Sequence, residues 1–264
     1  MRKSMTAVIQ KRIDLLTVNV YANRQEMGED AARDVAGKMK QMIAEKGRVR
    51  MVFAAAPSQN EFLAALSGED GIDWQSVTVF HMDEYIGLPQ GAPQSFARFL
   101  RQKLFDLVSP GRVHLIDTSA PPEKECERYS RLLKEDDIDI VCFGIGENGH
   151  LAFNDPPVAD FEDPQVMKVV TLDQVCRQQQ VNDGCFDRLE DVPYKALTLT
   201  IPTLLDGKNL YCIVPGKRKQ EAVQKTLYGE ISTSCPASIL RRHPNCTLYL
   251  DFDSFGGSRN GFQS

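Results

Sequence analysis

No stretch of this chain is apolar for long enough to cross a bilayer, and no apolar segment follows Arg2 and Lys3, so neither a membrane span nor a signal peptide is expected. Excess positive charge is lacking too. The formal net charge of −5 argues against a general nucleic-acid surface, although a local basic pocket can still bind a phosphate ester. The cysteines show no pairing. Cys126, Cys142, Cys176, Cys185, Cys212, Cys235 and Cys246 are odd in number and include no Cys-x-x-Cys; Cys142 and Cys212 sit inside apolar runs. Reduced, partly buried thiols in a cytoplasm fit better than a disulfide framework or a zinc site. His-x-His and His-Glu-x-x-His are absent as well, so no metal is expected. No linker rich in Ser, Gly and Pro and no repeat divides the 264 residues, so one domain over 1–264 is expected.

What the chain does have is a regular alternation of strand and helix patterns. Strand-like runs lie at 15–21, 49–55, 76–82, 112–116, 138–143, 167–172, 196–201, 209–214 and 247–252. An amphipathic helix is expected from Asn23 to Lys46, with Met27, Ala31, Val35, Met39, Met42 and Ile43 on one face and Gly47 ending it. Ser58 and Glu61 have capping-box spacing at the next helix start. Further helices are expected at 95–107, 123–133, 173–181, 217–227 and 235–242, and a polar, frayed tail after Gly256. Such alternation implies an α/β fold with a mostly parallel sheet covered by helices on both faces.

One stretch stands out. The buried-strand pattern of Ile138 to Phe143 runs into Gly144, Gly146 and Gly149, then His150 and, five residues on, Asp155. Glycines let a backbone turn tightly and approach a ligand, and open α/β sheets bind ligands at such strand tips. A lone histidine there is more often structural, and Gly-x-Gly-x-x-Gly is weak by itself. Asn154-Asp155-Pro156-Pro157 forbids the long helix a dinucleotide site needs, so a nucleotide reading is rejected. Asp83 and Glu84 end the run from Ser76 to Met82. Alternation lets one of them enter a cleft while the other faces elsewhere. His81 is expected to pack inward or cap its strand, and His114 and His243 are treated as structural.

Met82-Asp83-Glu84-Tyr85-Ile86-Gly87-Leu88-Pro89 with Ser95-Phe96, and Gly144 through Pro156, resemble the signatures of the glucosamine-6-phosphate deaminase (isomerase) family, and the similarity extends over most of the chain. The resemblance implies a modified Rossmann-like sheet and conversion of an amino-sugar 6-phosphate to a ketose 6-phosphate and ammonia, with no cofactor. The related 6-phosphogluconolactonases share the glycine–histidine core but usually lack the Met-Asp-Glu-Tyr motif and the continuation seen at Phe153-Asn154-Asp155-Pro156. By resemblance, His150 oriented by Asp155 opens the sugar ring, and Asp83 moves the proton from C2 to C1. Lys219, before a helix, matches the family's phosphate-binding lysine.

Several positions depart from the family pattern. Asn148 stands where aspartate is common, which removes an acid–base group but does not exclude activity. Asp155 stands where glutamate is common and is one methylene shorter, so either the loop moves in or a water bridges to His150. The usual phosphate loop reads Ala54 to Gln59 and lacks glycines, leaving Ser58 and the backbone near Gln59. The usual arginine falls near Gln180, with Arg177 three residues earlier as a substitute on the same helix face. Gly146 and Gly149 are expected against the substrate. A deaminase of glucosamine or galactosamine 6-phosphate is the leading expectation, a sugar-phosphate lactonase the second, and a non-catalytic sensor the third. The expected partner is a small-molecule sugar phosphate. Since the family ranges from monomers to hexamers, homo-oligomerisation is left open.

Overall fold

In the computed structural model the described residues are 7–89 and 91–257; the frayed tail expected after Gly256 lies almost entirely outside them. The elements run β1 (Ile9–Ile13), β2 (Leu16–Tyr21), α1 (Arg24–Lys46), β3 (Val49–Phe53), α2 (Asn60–Ser67), β4 (Val77–His81), β5 (Asp83–Ile86), α3 (Phe96–Leu100), a π-helical turn (Arg101–Phe105) and α4 (Asp106–Val108). They continue with β6 (Arg112–His114), α5 (Pro122–Lys134), β7 (Ile140–Phe143), β8 (Met167–Thr171), α6 (Gln174–Asn182), β9 (Lys195–Leu199), α7 (Ile201–Leu205), β10 (Asn209–Val214), α8 (Gln220–Tyr228), β11 (Cys246–Asp251) and α9 (Phe252–Phe255).

Period-2 alternation decides how the main sheet is buried. Met51 and Phe53 of β3, Ile140 and Cys142 of β7, and Tyr211 and Ile213 of β10 pack with Met27, Val35 and Met39 of α1 and with α2. The intervening Val52, Val141, Phe143, Leu210, Cys212 and Val214 pack on the other face with Tyr129 of α5 and Val223 and Leu227 of α8. Eight strands in the order β1-β2-β11-β10-β7-β3-β4-β6 make up this sheet. Only the β1–β2 pair is antiparallel. The α/β fold with helices on both faces is therefore present, with β1 as an edge strand not expected from the sequence.

The second sheet is the larger departure. β5, β9 and β8 form a separate antiparallel sheet. Asp83 and Glu84 thus do not end β4 but start a strand of the second sheet. The chain changes sheets at Met82, whose N–H donates to Phe53 O at 3.3 Å and whose carbonyl accepts from Leu199 N at 2.8 Å.

Two local expectations also fail. Ser58 does not cap a helix: Pro57 starts a 3-10 turn one residue earlier, no side chain caps it, and Glu61 pairs instead with Arg24 at 2.7 Å. The segment Pro236–Arg242 is 3-10 rather than α-helical. Among the described residues, no helix is long and apolar enough to cross a membrane.

Candidate active site

The carboxyl ends of β3, β4, β7 and β10 point to one edge of the main sheet, where a cleft opens. Asp83, Gly146, His150, Ser58, Gln59, Gln180 and Lys219 all line it.

The glycine loop explains how a histidine fits there. A Cβ on Gly146 would sit 2.2 Å from His150 Cε1, so only glycine leaves room for the imidazole. Gly149 has φ +87°, and a Cβ there would meet Cys235 Sγ at 2.7 Å. Gly149 shapes the turn and is not among the cleft-lining residues. His150 Nδ1 lies 2.9 Å from Asp155 Oδ1, close but off the line of a well-formed hydrogen bond. The contact is direct, so the shorter Asp155 needs no bridging water. Nor is Asp155 at a strand tip. It follows a turn pinned to β9: Phe153 N donates to Thr198 Oγ1 at 3.1 Å, and Asn154 Nδ2 donates to Leu199 O at 2.8 Å and Leu151 O at 2.9 Å. Phe153 packs against Tyr85 and Phe96 with ring centroids at 5.3 and 5.6 Å. Phe-Asn-Asp is thus a clamp that carries the carboxylate to the ring. Burial pushes the Asp155 carboxyl up, but the adjacent His150 ring, with donors from Asn148 and Cys176, outweighs it and holds it below the usual range.

Across the cleft, Asp83 and Glu84 take opposite sides of β5. Glu84 Oε2 accepts from Ser95 Oγ at 2.8 Å and Ala97 N at 2.9 Å, and Oε1 accepts from Phe96 N at 3.1 Å and Tyr85 N at 3.0 Å. It closes the start of α3, which gives the Ser95-Phe96 part of the motif a physical meaning. Asp83 faces the cleft and is only 7% exposed. Burial first, and Glu84 second, push its carboxyl well above the usual range. Behind it, buried His81 accepts from Ile116 N at 2.8 Å and is driven down to about 3 by burial, so it is a neutral structural ring.

At the far end Lys219 is 7% exposed, and burial lowers its pKa. No hydrogen bond or ion pair to its ammonium is found among the described residues. Gln59 is buried and half committed: Nε2 donates to Ile213 O at 3.1 Å and to Ser58 Oγ at 3.2 Å, while Oε1 has no partner. Arg177 does not belong here. Its guanidinium donates to Leu189 O at 2.6 Å and Val192 O at 2.9 Å and stacks on Tyr194, so it holds the 189–192 turn. Gln180 does line the cleft.

Sequence reasoning missed Gln179, Asp183 and Arg218. Gln179 and Asp183 line the cleft, and Gln179 Oε1 accepts from Glu147 N at 2.8 Å. Arg218 bridges Glu147 at 3.2 Å and Asp183 at 2.7 Å, tying α6 to the glycine loop and the Lys219 turn. The four-residue spacing of Gln179 and Asp183 in a glutamine-rich helix was the available signal. Cys176, one turn before Gln180, lies beside His150 and Asp155: donor atoms of the three fall within 4.8 Å of one another, a cluster that no local spacing marks.

A buried carboxylate, a histidine–carboxylate pair and a buried lysine around one strand-edge cleft define a class: an α/β protein built for proton transfer on a small anionic ligand. Residues 22–249 match the family model for glucosamine-6-phosphate isomerases and 6-phosphogluconolactonase. A glucosamine-6-phosphate deaminase from Exiguobacterium sibiricum is 37% identical over 184 residues, 69% of this chain and 71% of that one. The solved structure of a monomeric glucosamine-6-phosphate deaminase superposes with a TM-score of 0.83 at 31% identity, covering 90% of this chain and 98% of that one. The 6-phosphogluconolactonase of Thermotoga maritima shares the fold, with a TM-score of 0.74 at 21% identity over 89% of this chain and 99% of that one. The chain belongs to the glucosamine-6-phosphate isomerase/6-phosphogluconolactonase family.

Proposed function

We propose that this protein is an amino-sugar-6-phosphate deaminase, converting glucosamine 6-phosphate, or a close epimer such as galactosamine 6-phosphate, to the ketose 6-phosphate and ammonia. The observation that carries the reading is the buried Asp83, raised in pKa and set in the same cleft as the His150–Asp155 pair. Lactone hydrolysis needs water activation but no base for a C–H bond.

The substrate's phosphate pairs with Lys219, with Ser58 and Gln180 as further polar contacts. His150 carries a proton from the anomeric hydroxyl to the ring oxygen, and Asp155 stabilises the imidazolium formed on the way. Asn148 orients the pair and exchanges no proton. In the opened aldehyde, Asp83 removes the C2 proton and returns it to C1, while an amine proton passes to the C1 oxygen, which leaves a C1 hydroxyl and a ketimine at C2. A base whose pKa is lifted toward working pH suits this transfer. Water then adds to the resulting ketimine at C2 and ammonia leaves.

The test is ammonia release from a panel of 2-amino-2-deoxyhexose 6-phosphates, run beside hydrolysis of 6-phosphogluconolactone. Ammonia from at least one amino sugar is expected. Lactone hydrolysis without any ammonia would transfer the chain to the lactonase branch.

A further inference from the structure

Asp155 is flanked by two side chains that share one property outside the proposed reaction: both bind soft or borderline metals. His150 Nδ1 lies 2.9 Å from Asp155 Oδ1. Cys176 Sγ completes a trio whose donor atoms all fall within 4.8 Å of one another. The thiol is placed by the first turn of α6, where Asp173 caps the helix and accepts from Cys176 N at 2.7 Å. All three residues are buried, Cys176 and Asp155 almost completely. Two of the candidate donors are also unsatisfied: His150 Nδ1 and Asp155 Oδ2 have no aligned hydrogen-bond partner and are shielded from solvent. Buried polar atoms are normally paired, so two atoms left without an aligned partner beside a thiol form a concave, under-satisfied donor set.

We propose that His150, Asp155 and Cys176 form a binding site for a divalent cation of the zinc class, and that its occupation inhibits the enzyme. Imidazole nitrogen, carboxylate oxygen and thiolate sulfur together are a zinc donor set, whereas magnesium and calcium avoid sulfur. Tetrahedral zinc with bonds of about 2.0–2.3 Å separates its donors by roughly 3.3–3.8 Å. To reach that spacing the nitrogen and oxygen, 2.9 Å apart, separate slightly while the sulfur, within 4.8 Å of both, draws in. His150 lines the cleft, so the cation enters from there and takes water as its fourth ligand. Binding releases the Cys176 thiol proton to solvent, together with the Nδ1 proton when that nitrogen carries one. The bound cation then holds both Nδ1 and the Asp155 carboxylate, which removes the pair from ring opening.

The experiment titrates chelator-treated protein with Co²⁺, then displaces it with Zn²⁺. In the wild type, a near-ultraviolet thiolate-to-cobalt charge-transfer band with intense tetrahedral d–d absorption is expected, saturating at one equivalent and erased by zinc. Cys185→Ser, which changes a half-exposed thiol outside the trio, is expected to keep the band. Cys176→Ser is expected to lose it. Asp155→Asn, which leaves the thiol in place, is expected to bind cobalt at least roughly 10-fold more weakly. A wild type without the band, a Cys176→Ser protein that retains it, or an Asp155→Asn protein of unchanged affinity would each overturn the proposal. Zinc inhibition, read as residual turnover relative to each protein's own uninhibited rate, is expected to need roughly 10-fold or more zinc in Cys176→Ser; equal sensitivity would overturn the inhibitory role. The cobalt titration requires no turnover, so its failure leaves the deaminase reading untouched, and a failed ammonia assay leaves the metal site to stand or fall on the spectra.

Discussion

Asn148 and Asp155 are joined by a 2.9 Å hydrogen bond in which the amide Nδ2 donates to carboxylate Oδ1, while Asn148 Oδ1 accepts the His150 backbone N–H at 3.0 Å. The amide therefore fits the shorter carboxylate: it supplies a donor where an aspartate would supply a second negative charge. Asn148→Asp is expected to raise the Asp155 pKa by charge repulsion and loss of that donor. Ring opening needs ionised Asp155, so the acid limb of the kcat/KM profile should move to higher pH than in the wild type. An acid limb that stays in place would show that Asn148 does not govern Asp155.

Asp83 gives the opposite sign. Burial and Glu84 raise its folded pKa above the unfolded value of about 3.9. Its contribution to stability is therefore fully present below the unfolded pKa and is lost as pH rises through the folded pKa. Asp83→Asn removes that penalty while keeping the shape. The variant should melt at a higher temperature than the wild type at neutral pH, and ammonia release should fall by about 10²–10⁴. A lower melting temperature, or near-normal turnover, would contradict the assigned role.

Lys219→Met should separate binding from chemistry. The methionine fills the same buried space without a desolvated ammonium, so thermal stability of the ligand-free protein should hold or rise. Phosphate binding is largely uniform between ground and transition states, so KM should rise roughly 10-fold or more with a smaller change in kcat. Steady-state kinetics on the preferred amino sugar checks this, and an unchanged KM would put the phosphate elsewhere.

Arg177→Ala should do the reverse. Its guanidinium serves the Leu189 and Val192 carbonyls, and losing charged hydrogen bonds of this kind costs about 2 kcal/mol. Denaturant unfolding should report that loss while KM stays near the wild-type value. A large rise in KM without destabilisation would return Arg177 to the phosphate grip.

Legibility in the sequence followed locality. β7 and its glycine loop were readable because an apolar run and fixed spacings are local, and so was α1 with its glycine stop. β5 was not: four residues long, it pairs with β9 more than a hundred positions away, and no glycine or proline marks the change of sheet at Met82. The same gap hid Cys176, whose neighbours lie in a different loop. Arg177 shows the limit of helix-face reasoning. It lies one turn from cleft-lining Gln180, yet its long side chain reaches carbonyls outside the cleft. The Asp155 contact depended on a turn anchored by Thr198 and Leu199, which spacing from His150 could not reveal.

Strand β9 has a consequence for how the cleft can move. Asp83 pairs with Thr198 in the sheet, and the same Thr198 hydroxyl, with the Leu199 carbonyl, fastens the turn that carries Asp155. Asp83 and Asp155 are thus mounted on one rail, and small displacements of that rail carry the two carboxylates together. Lys219 belongs to the turn after β10, on the main sheet. His150 rides on the loop after β7 of the same main sheet, so the cleft is assembled across the two sheets, with both carboxylates on one and the imidazole and the ammonium on the other.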